Sequence, residues 1–155
     1  TPAPKRLKLR PMLSFPGPSI LAYSVNSVIA EKFHAMVRLG IANSRIKDFY
    51  DIWIISKYMP ISGPVLFETI IQIFKRRGDE LLGNVPFSLT QSFWSDTLKQ
   101  KQWLAYINKN KLSTDGHDFQ FVVEDIKRFF SPIITAFKNN NEFNFRWSYK
   151  KAWRE

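Results

Sequence analysis

A lysine inside an apolar helix face is the first residue of this sequence whose position suggests chemistry. Residues 24–40 follow a helical pattern, and at about 100° per residue Lys32 falls in the middle of its apolar stripe. The stripe is formed by Val25, Val28, Ile29, Met36 and Leu39. A lysine in this position loses hydration unless its stem packs and its ammonium reaches water, a carboxylate or a bound anion. Lys32 is therefore a candidate for binding an anion.

Two carboxylates follow at the start of a second helical pattern. After a short loop, Lys47, Asp48 and Asp51 lie together on one side of the next predicted helix. Its other side is formed by Ile46, Phe49, Tyr50 and Trp53. Because the connection is short, we predict that Lys32 and Asp48 approach within ~10 Å, about one Debye length at 0.1 M salt. We also expect both to border one cleft, as half of a functional site.

Each of these residues also has a purely structural interpretation. Lys32 could extend its ammonium to solvent from a helix that packs on a partner helix. Carboxylates in a first helical turn interact favourably with the helix dipole, and Lys47 and Asp51 have the i,i+4 spacing of an ion pair. Composition and spacing alone therefore name no function for this group.

Composition excludes several classes of site. The 155 residues contain no cysteine, so disulfides, thiolate zinc sites and cysteine nucleophiles are excluded. The two histidines, His34 and His117, have no ligand-like spacing, and no metal site is assigned to the chain. The G-x-S-x-G, P-loop and G-x-G-x-x-G motifs are absent from the sequence.

The charge of the chain favours an anionic partner. The formal net charge of +10 suits nucleic acid, nucleotide phosphates or an acidic protein, although a basic surface can also serve solubility alone. With 45% hydrophobic residues, we expect one domain over residues 1–155. No apolar run approaches the ~18 residues of a membrane span, so we expect no membrane partner. The absence of cysteine suits a cytoplasmic location.

The periodicities predict a mainly α fold of about five helices with one or two short N-terminal β-strands. The helices are expected near residues 24–40, 44–57, 64–77, 91–108 and 117–138. Pro132 should kink the last helix or end it early. A basic strand is expected within residues 1–14, a turn at 15–18, and an aromatic segment at 139–155 that packs back onto the helices.

The amino-acid sequence of the central stretch resembles that of a known family. AEKFHAMVRLGIANSRIKDFYDIW resembles a segment of the AbiEii/AbiGii toxin nucleotidyltransferases, in which A-E-K…R-x-G…N-S-R-x-K-D-x-Y-D recurs. The layout of nearly the whole chain is also similar, including the stretch from Phe74 to Arg77 and the aromatic ending near Trp147 and Trp153. Members of this family act as toxins in type IV toxin–antitoxin and phage-abortive systems.

The resemblance implies roles for five residues. The motif lysine would contact nucleotide phosphates, and this is Lys32 here. Asp48, with Asp51 as second choice, would be the catalytic acid that supports the active site. Arg45 and Lys47 would help to hold phosphate oxygens near a helix N-terminus. A complete member of the family is expected to use a nucleoside triphosphate and Mg²⁺.

One departure from the family limits the expected activity. The G-S motif and the metal-binding acids of the family's N-terminal half have no counterpart in this sequence. We therefore expect the C-terminal half of a nucleotidyltransferase-like fold, which binds nucleotide phosphates and is inactive alone. The basic rim of its cleft should be formed by Lys5, Arg6, Lys8, Arg10, Arg38, Arg45 and Lys47.

Two rival functions remain open. The chain could be a basic helical module that binds RNA, or a structural remnant that binds no ligand. Nucleotide titration separates nucleotide binding from the remnant, and salt-dependent binding of RNA identifies the RNA-binding module.

Overall fold

The computed structural model describes residues 5–8, 19–81, 83–148 and 152–154, and it is mainly helical. Within these ranges the α-helices are α1 (Val25–Leu39), α2 (Ile46–Tyr58), α3 (Gly63–Arg77), α4 (Gln91–Trp94), α5 (Thr97–Asn110) and α6 (Phe119–Lys138). The strands are β1 (Lys5–Lys8), β2 (Ser19–Ala22), β3 (Ile61–Ser62), β4 (Arg146–Ser148) and β5 (Ala152–Arg154). The predicted fold class is confirmed.

The helices enclose a core rich in aromatic residues. Helix α1 packs mainly against α3, and α2 packs against α6 and α5. Six phenylalanines are completely buried in this core: Phe33, Phe49, Phe93, Phe119, Phe129 and Phe130. The rings of Phe33 and Phe130 stack with centroids 4.1 Å apart and join α1 to α6. Each buried ring contributes roughly 1.5–3 kcal/mol, so this core fixes the relative positions of α1, α2 and α3.

Local signals set the ends of α1 as predicted. Ser24 is the N-cap residue, and its Oγ accepts a hydrogen bond from the backbone N–H of Ser27 at 3.1 Å. The helix ends at Gly40, whose φ of 49° suits glycine because a side chain would be strained there.

The connection from α1 to α2 is short and is held from two sides. A single 3₁₀ turn, Gly40–Ala42, leads to Asn43, which is fully buried. The Asn43 Oδ1 accepts a hydrogen bond from the N–H of Arg45 at 2.9 Å. The buried Lys99 of α5 donates from Nζ to the Asn43 carbonyl at 2.8 Å. These two bonds fix where α2 begins relative to α1.

Two helix predictions need correction. The fourth predicted helix is divided into α4 and α5, because Asp96 accepts a hydrogen bond from the N–H of Lys99 and begins a new helix. Pro132 does not end α6, which continues to Lys138. A proline in a helix costs about 3 kcal/mol. Buried side chains on both sides of it, Phe129, Phe130, Ile133 and Ile134, outweigh that cost.

The strands form two small antiparallel sheets. Strand β1 pairs with β2 in the register Lys5↔Ala22 to Lys8↔Ser19, so the predicted basic strand has a partner. The predicted turn at 15–18 lies outside the described residues. Strands β3, β4 and β5 form the second sheet, which the sequence did not predict. Its Trp147 donates from Nε1 to the Ser56 carbonyl at 2.6 Å, which confirms that the aromatic ending packs back onto the helices.

Among the described residues, no helix combines the length and the apolar character required to cross a bilayer.

Candidate functional site

Lys32 and the two aspartates of α2 meet at the junction of α1 and α2. The Lys32 ammonium lies 2.5 Å from Asp48 Oδ1 and 2.8 Å from Asp51 Oδ2. Its side chain is only 15% exposed, so its stem packs while its charge is bound by two carboxylates. The predicted approach of Lys32 and Asp48 is confirmed. The lysine is neither solvated nor unpaired, because two carboxylates replace its lost hydration.

Two further cations complete this group. Arg45 Nε lies 2.8 Å from Asp48 Oδ2, a charge contact that is not aligned as a hydrogen bond. Lys47 Nζ donates to Asp51 Oδ2 at 2.7 Å. We call Lys32, Arg45, Lys47, Asp48 and Asp51 the lysine–aspartate cluster. All five residues that the sequence suggested for a site are thus in mutual contact through ion pairs.

The environment keeps Asp51 ionised. Burial alone would raise the pKa of its carboxyl, but the hydrogen bonds from Lys32 and Lys47 outweigh burial and the pKa is lowered. The hydrogen bond that Lys47 donates to Asp51 raises the pKa of the Lys47 ammonium. A carboxylate with a lowered pKa is a poor general base at neutral pH. Asp51 is therefore suited to hold the lysines in place rather than to accept a proton.

Lys32 lies on the wall of a cleft of about 520 Å³. The lining residues are Tyr23, Ser27, Val28, Glu31, Lys32, Arg45, Arg76 and Arg77. Asp48 and Asp51 are not among them, so the prediction that Asp48 borders the same cleft as Lys32 is wrong. The reason is packing: the Asp48 side chain is 4% exposed and lies behind the Lys32 ammonium and Arg45.

The far wall of the cleft is formed by a pair of arginines from the end of α3. Arg76 Nη2 lies 2.6 Å from Glu31 Oε1, and Arg77 Nη2 lies 3.0 Å from Glu31 Oε2. These arginines have no role in the site predicted from the sequence, although basic residues at the end of a helix also complement the helix dipole. A contact between residues 45 positions apart leaves no local pattern, so only the run of three cations at Lys75–Arg77 pointed to this wall.

The predicted basic rim is mostly wrong. Of its described side chains, Arg6, Lys8, Arg38 and Lys47 lie outside the cleft, and Arg45 lines it. Arg38 instead pairs with Asp79 at 3.1 Å. The Lys5 side chain and all of Arg10 lie outside the described residues. The cations that line the cleft come from the middle of α1, the start of α2 and the end of α3.

Both histidines contact another side chain of the chain. His34 Nε2 lies 2.7 Å from Asp79 Oδ2, and this contact is the main cause that lowers the pKa of Asp79. The ring of His117 stacks on Phe121 at 3.7 Å. Within the described ranges, no group of three or more His, Asp or Glu side chains is placed to hold a metal ion. Asp48 and Asp51 do not fit Mg²⁺ either, because lysine and arginine cations already hold both Asp48 oxygens and Asp51 Oδ2.

Comparison with known proteins identifies the family. The family model of the nucleotidyl transferase AbiEii toxin, from the type IV toxin–antitoxin (TA) system, matches residues 1–125. This range includes the lysine–aspartate cluster and every residue that lines the cleft. No curated protein and no solved structure matches the chain significantly. The family match covers most of the 155 residues, and the chain therefore belongs to the AbiEii nucleotidyl transferase toxin family.

Proposed function

We propose that this chain binds the phosphates of a nucleoside triphosphate in the cleft beside Lys32. One observation carries the proposal: a lysine held by two buried or half-buried carboxylates lines the same cleft as Arg45, Arg76 and Arg77. Five cations and three carboxylates make up the cleft and the cluster behind it, so an excess of positive charge remains for an anion. The cations are Lys32, Arg45, Lys47, Arg76 and Arg77, and the carboxylates are Glu31, Asp48 and Asp51.

The residues of the cluster have different roles in this proposal. Lys32 and Arg45 contact phosphate oxygens directly, since both line the cleft. Asp48 and Asp51 act as positioning residues that hold the Lys32 ammonium at the cleft wall. Lys47 acts indirectly: it binds Asp51, which holds Lys32, and it does not line the cleft.

An exposed tyrosine gives the cleft a surface for a base. Tyr23 lines the same cleft and is 62% exposed. Stacking of a nucleobase on an aromatic ring contributes about 1–3 kcal/mol without requiring a particular sequence. Because this ring lies beside the four cations that line the cleft, we expect the cleft to bind a nucleotide more tightly than inorganic polyphosphate.

We propose further that the 155-residue chain transfers no nucleotide by itself. Transfer in this family requires Mg²⁺ to neutralise phosphate charge, and the carboxylates of the lysine–aspartate cluster are already held by cations in ion pairs. The acids for the metal would then lie in a segment other than this one. Activity as a type IV toxin and a cytoplasmic location are further parts of this proposal, which names no acceptor.

The test is calorimetric titration with ATP and with tripolyphosphate at low and moderate salt. We expect salt-sensitive binding of both, tighter for ATP, and a loss of roughly fivefold to thirtyfold in affinity for Arg45→Gln. Arg38→Gln is the matched control, because Arg38 and Arg45 are 60% and 59% exposed and each pairs with one aspartate. Labelled ATP with Mg²⁺ should give no incorporation into RNA or protein.

Three outcomes would contradict the proposal. Equal losses in the two arginine variants would place binding outside the cleft. Absence of ATP binding would favour the structural remnant. RNA binding that exceeds ATP binding and weakens with salt would favour the RNA-binding module.

A further inference from the structure

A single carboxylate bridges the two arginines on the far wall of the cleft. Glu31 offers one oxygen to Arg76 and the other to Arg77, at 2.6 and 3.0 Å. Glu31 itself lines the cleft and directly precedes Lys32 in the sequence. The chain thus holds one of its own anions between two guanidinium groups at the proposed phosphate site.

The chemistry of this arrangement matches that of a phosphate site. Guanidinium groups bind carboxylates and phosphates through the same forked N–H donors, and each such bond is charge-assisted. A polyphosphate carries more charge and more acceptor oxygens than one carboxylate. It can therefore replace Glu31 on both arginines without leaving either without an acceptor.

The contact is also accessible enough for such an exchange. The side chains of Glu31, Arg76 and Arg77 are 35%, 48% and 50% exposed. Exposed ion pairs of this kind are weak and are rearranged at little cost. The Lys32–Asp48 pair differs, because both of its side chains are nearly buried.

We propose that Glu31 is an internal competitor for anions in the cleft. Its carboxylate binds Arg76 and Arg77 in the ligand-free chain and moves away when phosphate oxygens take its place. This inference rests on the proposed phosphate-binding function and adds a residue that sets the affinity of the site. The alternative is that Glu31 orients the arginines for the anion. In that case its removal weakens anion binding.

The experiment is titration of Glu31→Gln with tripolyphosphate, which has no base and reports on the anion site alone. We expect affinity to rise roughly threefold to tenfold, since the variant removes the competing charge and keeps the size of the side chain. Glu68→Gln is the matched control, because Glu68 is exposed on α3 outside the cleft and the charge change is the same. Arg77→Gln added to Glu31→Gln should abolish the gain. Thermal unfolding checks that each variant is folded.

The outcomes separate this inference from the proposed function. Unchanged or weaker binding by Glu31→Gln, with Arg45→Gln still impaired, overturns the role of Glu31 and leaves the phosphate site standing. If Glu31→Gln binds tripolyphosphate and the unaltered chain does not, the role of Glu31 as a competitor is supported and its carboxylate blocks the site. No binding by either protein overturns both proposals. An equal gain in affinity for Glu68→Gln would show that the effect comes from net charge, and would overturn the role of Glu31 as a competitor.

Discussion

Glu31 and Lys32 are neighbours on α1, yet they make opposite kinds of ion pair. Lys32 reaches two carboxylates of α2 with a side chain that is mostly buried. Glu31 contacts two arginines of α3 directly, with all three side chains partly exposed to solvent. Coulomb attraction is strongly screened for exposed pairs and much less so for buried ones. The comparison indicates that Lys32 holds the site together, whereas Glu31 can exchange its partners.

Removing the buried cation should have the largest effect on the fold. Lys32→Ala leaves Asp48 buried with Arg45 as its remaining cation, and we expect a loss of about 3–5 kcal/mol in the free energy of unfolding. Glu31→Gln, at the next position, should change the same quantity by less than about 1 kcal/mol. Urea unfolding followed by circular dichroism measures both values. Similar losses in the two variants would mean that the two ion pairs do not differ as burial suggests.

Removing the charge of Asp51 should have a smaller effect on the free energy of unfolding. Asp51→Asn keeps the shape of the side chain but weakens the bonds from Lys32 and Lys47, at a cost of roughly 1–3 kcal/mol at neutral pH. Because folding lowers the pKa of Asp51, its stabilisation is complete above the ordinary carboxyl pKa of about 3.9. That stabilisation is lost as pH falls through the lower folded-state pKa.

The acid dependence therefore provides the check on Asp51. Melting temperatures of the unaltered chain and of Asp51→Asn should converge as the pH falls through that range. A constant difference between them at every pH would show that the effect of the substitution comes from packing and not from charge. Glu68→Gln should follow the unaltered chain throughout, because Glu68 is exposed and accepts a hydrogen bond from Gln72 on the same helix.

The lysine–aspartate cluster was predictable because all its residues lie within one short stretch. Helical periodicity placed Lys32 in an apolar stripe, and a short loop limited how far Asp48 could be from it. Periodicity could not predict how deeply each of these side chains is buried. The Asp48 side chain is 4% exposed and is covered by Lys32 and Arg45, which a pattern of residue types does not reveal.

The remaining features depend on contacts between distant residues. Arg76 and Arg77 meet Glu31 across 45 and 46 positions, and strand β3 pairs with β4, from which α3, α4, α5 and α6 separate it in the sequence. A strand of two residues shows no alternation, so no pattern could reveal it. The continuation of α6 through Pro132 likewise depends on how much of its surface the other helices bury.

The central claim is that an anion binds at the cleft between α1, α2 and α3. The most direct test follows the assigned backbone amide resonances of the unaltered chain by NMR during titration with ATP. We predict that the shifts concentrate on Ser27, Val28, Glu31, Lys32, Arg45, Arg76 and Arg77 and decrease as salt is raised. Shifts concentrated instead on the exposed lysines of α5, such as Lys101 and Lys109, would contradict the account, because they would place the bound nucleotide outside the cleft.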